Sequence, residues 1–365
     1  MKNSELKSLY IHIPFCAHIC KYCDFTKLFY NENFAHKYID ALLAEIDSYK
    51  INKVKTIYIG GGTPTSLSDE DFEKLLKHVS PLLVEGGEFN VEANVENLSR
   101  EKLDLMDTYG VTRLSIGVQS TSNKRLKEIG RSHTYEDAFK VVNEAKKHNF
   151  KSINVDLIYG FEGESEQDLL DDLHNIIALD IDHISIYSLI VSKGTVFYNE
   201  HYKEQNQEDS RHFYDVILKT LREAGYERYE ISNFARNKMY SQHNLTYWKD
   251  QEYYGVGLGA SGYLNGIRYE NTKNLDRYLV GNKIESQEEI TLEKDIEYFL
   301  ITNLRLEQGF KLIDFKDRLG IDFLEHFKGK YEKFVISGHI IIDQERVRLS
   351  DEGLMIMDYI LLQIL

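Results

Sequence analysis

The chain has 365 residues, of which 42% are hydrophobic, 28% are charged and only 3 are proline. This is the composition of a folded protein with apolar material for about two domains, and it excludes collagen-like, low-complexity and disordered chains. The 44 Lys and Arg residues stand against 59 Asp and Glu residues, and the formal charge of −15 argues against binding nucleic acid through a general basic surface.

The first two thirds of the chain alternate strand-like segments with amphipathic, helix-like segments. Runs rich in β-branched and apolar residues predict strands at 9–15, 56–60, 88–93, 113–118, 152–159 and 183–191. Apolar residues three and four positions apart predict helices at 34–49, 69–79, 100–109, 136–148, 166–179 and 209–224. Six repeated βα units indicate an α/β protein with a parallel sheet, either an open partial barrel or a doubly wound sheet. In both folds the chemistry lies at the C-terminal ends of the strands.

The pattern changes after about Tyr229, and three regions are predicted: 1–235, a connecting segment rich in glycine and aromatic residues at 236–285, and a C-terminal domain at 286–365. The connecting segment contains a literal G-x-G-x-x-G at 257–262. No helix pattern follows it, so it indicates close backbone packing beside the site rather than a dinucleotide fingerprint.

The C-terminal region is predicted as helices closed by a hairpin of residues 338–343 and 346–349, followed by a last helix over 351–365. Helices closed by a hairpin resemble a winged-helix module. Because the chain is acidic, we expect this module to pack or to dock a partner rather than to bind DNA.

No stretch approaches the roughly 20 apolar residues of a membrane span, and residues 1–7 lack the apolar segment of a secretory signal. The three cysteines, Cys16, Cys20 and Cys23, lie within eight residues. An odd and scarce number of cysteines argues against a disulfide framework and for a reducing compartment. We therefore expect a cytoplasmic protein without a membrane span, and peripheral membrane contact stays open.

The cysteine segment begins where the first predicted strand ends, and three kinds of site fit it. Zinc would need a fourth ligand, His12 or His18. A redox pair of Cys20 and Cys23 would leave Cys16 unexplained. A [4Fe–4S] cluster on three thiolates would keep one iron open for the amino and carboxylate groups of S-adenosylmethionine (SAM), and this interpretation is favoured.

Further polar groups cluster on the same strand ends. The glycine turn GGGTPT at 60–65 follows the second strand, and its amides are candidates for binding the amino or carboxylate end of a ligand. Other candidates lie in or just after strands that should be buried: Glu92, Gln119, Arg131 and Asp156. A buried carboxylate must be paired or serve a ligand, and their convergence on one face favours a ligand site.

A last constellation is the segment HNLTYW at 243–248, which holds the only tryptophan. Histidine is a common axial ligand of heme, and aromatic side chains pack well on a porphyrin. The alternative is a packed aromatic segment with a hydrogen-bonded His243, and composition alone favours that alternative.

These motifs resemble a known family. The segment YIHIPFC at 10–16 with its C-x3-C-x2-C spacing resembles the radical SAM superfamily. Together with GGGTPT, GVQ at 117–119, DLIYG at 156–160 and YEISNFA at 229–235, it is similar to the oxygen-independent coproporphyrinogen III oxidases and their relatives over nearly the whole chain. The oxidases carry a fourth cysteine where this chain has Phe25, and a longer N-terminal arm. Phe25 and HNLTYW resemble the branch of HemW-like heme chaperones.

The resemblance implies a partial (β/α)6 barrel with a smaller C-terminal domain, and it implies roles for individual residues. Cys16, Cys20 and Cys23 would bind the cluster. SAM contacts would come from Tyr10, Gly61, Gly62, Thr63 and Glu92, and Tyr22 within the cysteine segment is a further candidate. Gln119, Arg131 and Asp156 match oxidase positions at a second SAM site, and His243 is the candidate heme contact. Two departures, Phe161-Glu162-Gly163 for Leu-Pro-Gly and Val95 for Pro, alter loop stiffness.

The resulting hypothesis is a protein that carries a [4Fe–4S] cluster and SAM, binds heme and passes it to an unidentified acceptor protein. The alternative is an oxygen-independent coproporphyrinogen III oxidase. Whether the chain is an enzyme stays open, because Phe25 occupies the position of the fourth cysteine.

Overall fold

The computed structural model describes residues 6–365. Its strands are β1 Ser8–Ile13, β2 Phe15–Cys16, β3 Leu28–Phe29, β4 Val54–Gly61, β5 Leu83–Asn94, β6 Arg113–Gln119, β7 Ser152–Tyr159, β8 His183–Ser188, β9 Glu227–Arg228, β10 Asn233–Ala235, β11 Tyr253–Val256, β12 Ser261–Leu264, β13 Ile267–Asn271, β14 Ile284–Glu289, β15 Phe310–Lys311, β16 Ile340–Ile342 and β17 Arg346–Leu349.

Its helices are α1 Glu32–Ser48, α2 Asp69–Val79, α3 Arg100–Thr108, α4 Asn123–Glu128, α5 Tyr135–Ala145, α6 Glu166–Ile177, α7 Val196–Asn199, α8 Gln207–Glu223, α9 Gln242–Trp248, α10 Leu275–Leu279, α11 Leu292–Asn303, α12 Leu312–Leu319, α13 Phe323–His326, α14 Glu332–Ile336, α15 Asp351–Met355 and α16 Met357–Ile364. Short 3-10 helices lie at Pro64–Ser66, Ser80–Leu82 and Val95–Asn97.

One twelve-stranded sheet organises the main body, in the order β14-β13-β12-β11-β1-β4-β5-β6-β7-β8-β10-β9. The strands β1, β4, β5, β6, β7 and β8 are neighbours and run parallel. Helices follow them along the chain, which confirms the α/β class and the six βα units. The register aligns the strand ends: His12 lies opposite Gly60, and Gly117 lies opposite Asp156. The polar candidates therefore meet at one edge of the sheet.

The helices cover this sheet because each one buries an apolar face and begins at a side-chain cap. In α2, the Ser68 side chain accepts a hydrogen bond from the Asp71 amide, while Phe72, Leu75 and Leu76 are fully buried. A cap of this kind contributes about 1 kcal/mol. Ser99 caps α3 in the same way.

The predicted connecting segment is not a simple connection, because β11 to β14 extend the sheet beyond β1. Strand β11 pairs parallel with β1, and the next three strands return antiparallel. Its glycines permit close packing, as expected. A Cβ on Gly257 would lie 2.6 Å from the His12 carbonyl oxygen, and one on Gly259 would lie 2.4 Å from Thr26 Oγ1.

The C-terminal part has a hydrophobic core of its own, built from buried residues between 296 and 364. Helices α11 to α16 surround a three-stranded sheet in the order β15-β17-β16, and the predicted hairpin is the antiparallel pair β16–β17. The predicted last helix is broken at Ile356 into α15 and α16. Within residues 6–365, no helix combines the length and the apolar character needed to span a bilayer.

Candidate functional site

A cavity of about 370 Å³ opens at the carboxyl ends of the parallel strands. The cavity is lined by most of the residues that the sequence predicted: Cys16, Cys20, Tyr22, Cys23, Gly61, Gly62, Thr63, Glu92, Gln119, Arg131 and Asp156. Of the predicted set, Tyr10 and His243 lie elsewhere. The fold thus brings together residues from β2, β4, β5, β6 and β7 that are far apart in the sequence.

The cysteine loop is fixed at both ends. The two-residue strand β2, which ends in Cys16, pairs with β3, and the Tyr30 amide donates to the Cys16 carbonyl oxygen at 2.9 Å. In the middle of the loop, the Lys21 amide donates to the Ile129 carbonyl oxygen at 3.0 Å. All three cysteines are free thiols, so one anchored loop presents three sulfur atoms to one cavity.

Two hydrogen-bond donors approach the sulfur atoms. Thr63 Oγ1 lies 3.5 Å from Cys16 Sγ, and Arg131 Nη1 lies 3.6 Å from Cys20 Sγ. Burial raises the pKa of the Cys16 thiol to about 11, so the thiolate forms when a metal displaces the proton. A cation and a hydroxyl beside the sulfurs suit a thiolate-bound cluster, whose charge they offset.

The structure removes His12, but not His18, as a fourth ligand for zinc, since His18 lines the cavity together with the cysteines. Both ring nitrogens of His12 are engaged, Nδ1 with the Tyr10 hydroxyl at 2.9 Å and Nε2 with the Thr26 carbonyl oxygen at 2.8 Å. No group of three or more His, Cys, Asp or Glu within residues 6–365 is arranged to hold a single ion. The thiolates of a cube bind separate irons and do not need to converge on one point. A redox pair would leave Cys16 without a role in a cavity that it lines.

The glycine turn differs from the expectation in one respect. Its amides do not point at the cavity: Gly61 N donates to Glu92 Oε2 at 3.0 Å, Gly62 N to the Ile13 carbonyl oxygen at 2.8 Å, and Thr63 N to the Phe15 carbonyl oxygen at 2.8 Å. The turn therefore cannot bind a carboxylate through these amides. It gives the cavity a wall without side chains, where a ligand can approach the backbone closely.

Glu92 is the carboxyl group at the centre of the cavity wall. It accepts hydrogen bonds from the Tyr58 hydroxyl and the Gly61 amide. Burial raises its pKa to about 7 in spite of these two donors. Such a carboxyl group is poised to ionise when a cation binds beside it, which suits an ammonium group.

Arg131 is buried, and its two terminal nitrogens donate to the protein, while Nε has no hydrogen-bond partner among the described residues. Nη2 donates to Asn94 Oδ1 at 2.9 Å and to the Gly117 carbonyl oxygen, and Nε lies 3.4 Å from Glu96 Oε1. Together with the contact to Cys20, these bonds tie the cysteine loop to β5 and β6. A second SAM would have to compete with them.

Gln119 and Asp156 also face the cavity. Gln119 ends β6 with a φ of 74°, in the left-handed region that a non-glycine residue rarely adopts. A Cβ on Gly117 would lie 2.7 Å from Gln119 Nε2, so the Gln119 side chain folds back over its own strand. Asp156 accepts a hydrogen bond from Asn154 Nδ2 at 2.8 Å, and burial raises its pKa. That these residues hold a second SAM stays a prediction.

Tyr10 lines a neighbouring cavity of about 450 Å³, which shares Phe25, Gly61 and Glu92 with the first. Tyr58 and Tyr247 are also in its wall. Tyr10 is thus next to the predicted SAM site rather than in the same cavity.

The position of His243 matches the alternative of a packed aromatic segment with a hydrogen-bonded histidine. It is fully buried in α9, with Nδ1 2.7 Å from Thr56 Oγ1 and Nε2 2.8 Å from the Tyr247 hydroxyl. Burial lowers its pKa to about 3, so the ring is neutral. A heme contact at His243 stays a prediction, and it requires the histidine to give up at least one of these bonds.

Sequence reasoning missed Tyr58, Asn94 and Glu96. Asn94 lies two residues after Glu92 on β5 and therefore on the same face, a signal that the period of two could have supplied. Burial would raise the pKa of Glu96, but a hydrogen bond to His133 and the charge of Arg131 lower it to about 2. No sequence signal identifies Glu96, because its partners come from a different segment.

Comparisons with known proteins identify the family of this chain. The family model of the Radical SAM superfamily matches residues 10–176, and that of the HemN C-terminal domain matches residues 290–356. The heme chaperone HemW of Lactococcus lactis subsp. lactis is 36% identical over 357 residues, covering 95% of this chain and 94% of that protein. HemW of Bacillus subtilis is 37% identical over 368 residues, covering 95% and 96%.

A solved structure with a similar fold is coproporphyrinogen III oxidase (HemN) from Escherichia coli. It matches with a TM-score of 0.85 and covers 99% of this chain and 90% of its own. The sequence identity is 21%, so this likeness describes the fold.

Proposed function

The chain belongs to the HemW family of heme chaperones, within the radical SAM superfamily, and we propose from this membership that it binds heme and delivers it to an acceptor protein. In this proposal the chain holds a [4Fe–4S] cluster with SAM at the open iron. One observation carries the cofactor assignment. In the cluster cavity, one anchored loop presents three free cysteines beside a glycine turn and a buried carboxyl group.

Five residues of the cavity have a part in holding these groups. A cluster bound by three thiolates supplies an open iron for the amino and carboxylate groups of SAM and an electron to it when reduced. Cys16, Cys20 and Cys23 bind the iron. Glu92 provides a negative charge for the ammonium group, and Arg131 donates a hydrogen bond to a ligand sulfur, which stabilises the thiolate.

The second candidate is oxygen-independent coproporphyrinogen III oxidation, which the similar fold of HemN favours. Against it stands Phe25, whose side chain is exposed at the mouth of the cavity where the oxidases have a cysteine. The membership in the chaperone family makes heme delivery the first proposal.

The test is a hemin titration of the anaerobically reconstituted full chain, followed by the Soret absorbance, with iron and sulfide analysis of the same preparation. We expect about four irons and four sulfides per chain and saturable hemin binding. The same preparation is then given coproporphyrinogen III, reductant and SAM. Sustained formation of protoporphyrinogen would overturn a function limited to heme delivery, and zinc without sulfide would overturn the cofactor assignment.

We infer a reducing compartment, the cytoplasm, as the site of action, because a cluster with an open iron and three free thiols needs reducing conditions. The acceptor is a protein that receives heme. Any contact of this chain with a membrane surface would be peripheral.

A further inference from the structure

A second, larger cleft lies between the main sheet and the C-terminal domain, away from the cluster cavity. Its volume is about 850 Å³, against about 370 Å³ for the cluster cavity. Cofactor sites usually occupy about 300–1,000 Å³, so the cleft has room for a ligand of cofactor size. Residues near β9 and from α9 form one wall, and residues near β15 and β17 form the other.

The C-terminal wall presents two positive charges side by side. Lys311 on β15 and Arg346 on β17 are directly opposed in the antiparallel pair. Like charges directly opposite each other destabilise a sheet, and a bound anion would offset the repulsion. Neither side chain forms an ion pair with another described residue, and Arg346 Nη1 donates only to the Gln308 carbonyl oxygen, at 3.3 Å.

The facing wall adds a third cation, Lys249, which is exposed at the end of α9 and forms no ion pair within the described chain. Three carboxylates also line the cleft: Glu307, which pairs with Arg228, and Asp314 and Asp317 of α12, which form no ion pair with these cations. In a chain of net charge −15, this cleft is lined by five basic and three acidic side chains, and three of the basic ones form no ion pair within the described chain. This excess of positive charge favours an anionic ligand.

The same facing wall carries two stacked aromatic rings and an aliphatic side chain. Tyr229 and Tyr240 are stacked with ring centroids 4.4 Å apart and planes inclined by 24°. Leu245 of α9 lines the same cleft. Tyr229 is the buried ring of the pair, so the partly exposed Tyr240, together with Leu245, is the surface on which a planar aromatic ligand packs.

Heme combines the two properties, because it is a flat apolar macrocycle with two carboxylate groups. Other places suit it less well under the proposed function. The ring nitrogens of His243 are both engaged, and the cluster with SAM takes up the smaller cavity.

We propose that the cleft between the sheet and the C-terminal domain is the heme site. The porphyrin packs against Tyr240 and Leu245, and its propionates pair with Lys311, Arg346 and Lys249. This inference rests on the proposed function and adds the location of the heme to it.

The test compares hemin dissociation constants of the reconstituted full chain and its variants. The double variant Lys311→Glu/Arg346→Glu should bind hemin about tenfold more weakly or worse, because it replaces attraction by repulsion. Lys249→Glu is an independent variant on the opposite wall and should weaken binding in the same direction. The matched control is Lys316→Glu, an exposed lysine of α12 that is not part of the cleft.

Hemin dimethyl ester separates charge from packing. The wild-type chain should bind the ester about tenfold more weakly than hemin, and the double variant should bind it no more weakly than the wild type does. Iron content and circular dichroism of each variant report on the fold.

Unchanged hemin affinity in the folded double variant would overturn the site and leave the chaperone function intact. A loss of affinity in Lys273→Glu, in the cavity beside Tyr10, together with no loss in the cleft variants, would place the heme there instead. Absence of saturable binding to the wild-type chain would overturn the proposed function itself.

Discussion

At the scale of single residues, the protonation state of Glu92 determines how strongly the cavity binds a cation. Its pKa is raised to about 7 by burial, so in the free protein about half of the molecules carry the charge at neutral pH. An ammonium group binds the ionised form. We predict that SAM affinity rises about tenfold between pH 6 and pH 8, because at pH 6 about nine tenths of the carboxyl groups must first lose a proton.

Isothermal titration of the reconstituted chain with SAM at the two pH values measures this change. Glu92→Gln keeps the shape and an acceptor oxygen for the Tyr58 hydroxyl but never ionises. The affinity of the Glu92→Gln variant for SAM should be low and nearly the same at both pH values. A variant with the pH dependence of the wild type would show that another group titrates.

The pKa of His243 is lowered rather than raised, and it leads to a prediction about stability instead of ligand binding. Its folded pKa of about 3 lies below the value of about 6.5 in the unfolded chain, so the unfolded chain takes up the proton first. The contribution of neutral His243 to the stability of the protein is therefore fully present above pH 6.5, and it falls as the pH drops from there toward 3. Between pH 8 and pH 5 this single group should cost about 2 kcal/mol of unfolding free energy.

Urea unfolding of iron-free wild type and His243→Gln at the two pH values, followed by circular dichroism, isolates this contribution. The variant should be less stable at pH 8 but lose about 2 kcal/mol less than the wild type on acidification. Equal losses in both chains would mean that His243 is already accessible to protons in the folded state.

The two residues also differ in how far sequence predicts them. Glu92 was found because a carboxylate in a buried strand needs a partner, and the structure supplies one in Tyr58. The surroundings of His243 depend on how α9 packs against β4, through Thr56, which is 187 positions away in the sequence. No local pattern specifies a contact of that separation.

At the scale of elements, the glycine turn after β4 is where the backbone itself is under constraint. Gly61 has a φ of 112°, and a Cβ there would lie 2.5 Å from the His12 ring. We predict that Gly61→Ala costs about 3 kcal/mol, from backbone strain and the clash together. Because His12 holds Thr26 near the end of the cysteine loop, the variant should also retain less iron after reconstitution.

Gly86→Ala is the matched control, measured by the same urea unfolding and iron analysis. Gly86 has a φ of 76° within β5, where the register of β5 against β4 shifts, and nothing lies within 4 Å of its added Cβ. It carries the strain without the clash and should cost about 1 kcal/mol with unchanged iron content. Equal destabilisation in the two variants would refute a role of the contact with His12.

Strands and helices whose apolar residues recur with a regular period could be predicted from the sequence. The strand at 152–159 and the helix at 69–79 have the predicted bounds, and the other parallel strands differ by a few residues. The strands β11 to β14 were not predicted. They contain tyrosines, glycines and charged residues without a clear period of two, and what makes them strands is pairing with β1 and with each other.

At the scale of the whole molecule, repeated βα units were enough to predict the parallel sheet. The sequence also predicted a C-terminal domain, but not the contacts that join this domain to the sheet, which we call the junction. The junction depends on long-range ion pairs. Asp250, after α9, contacts Arg268 on β13 and Arg318 on α12, and Arg228 contacts Glu307 and Asp351. Charged residues of this kind look like ordinary surface residues until the fold brings them together.

Asp250 is the test of this junction, because its carboxylate is 1% exposed and holds arginines from both sides. Removing one partner of a buried ion pair leaves the other charges unpaired and typically costs about 3–5 kcal/mol. We predict a loss of about 3 kcal/mol in Asp250→Ala by urea unfolding, the lower end because both arginines keep some solvent. Hydrogen exchange of α12 should become faster, because Arg318 anchors that helix to the sheet.

Asp215→Ala is the control, since Asp215 pairs with Arg211 in an exposed (i, i+4) arrangement on one helix. Pairs of that kind contribute less than about 1 kcal/mol. If Asp250→Ala were no more destabilising than Asp215→Ala, the ion pairs would not hold the junction. The C-terminal domain would then stay in place through its apolar contacts, and the cleft proposed for heme would keep its shape without them. If α12 exchanges faster and hemin affinity falls in Asp250→Ala while the cluster is retained, the domain junction and the heme site are one structural unit.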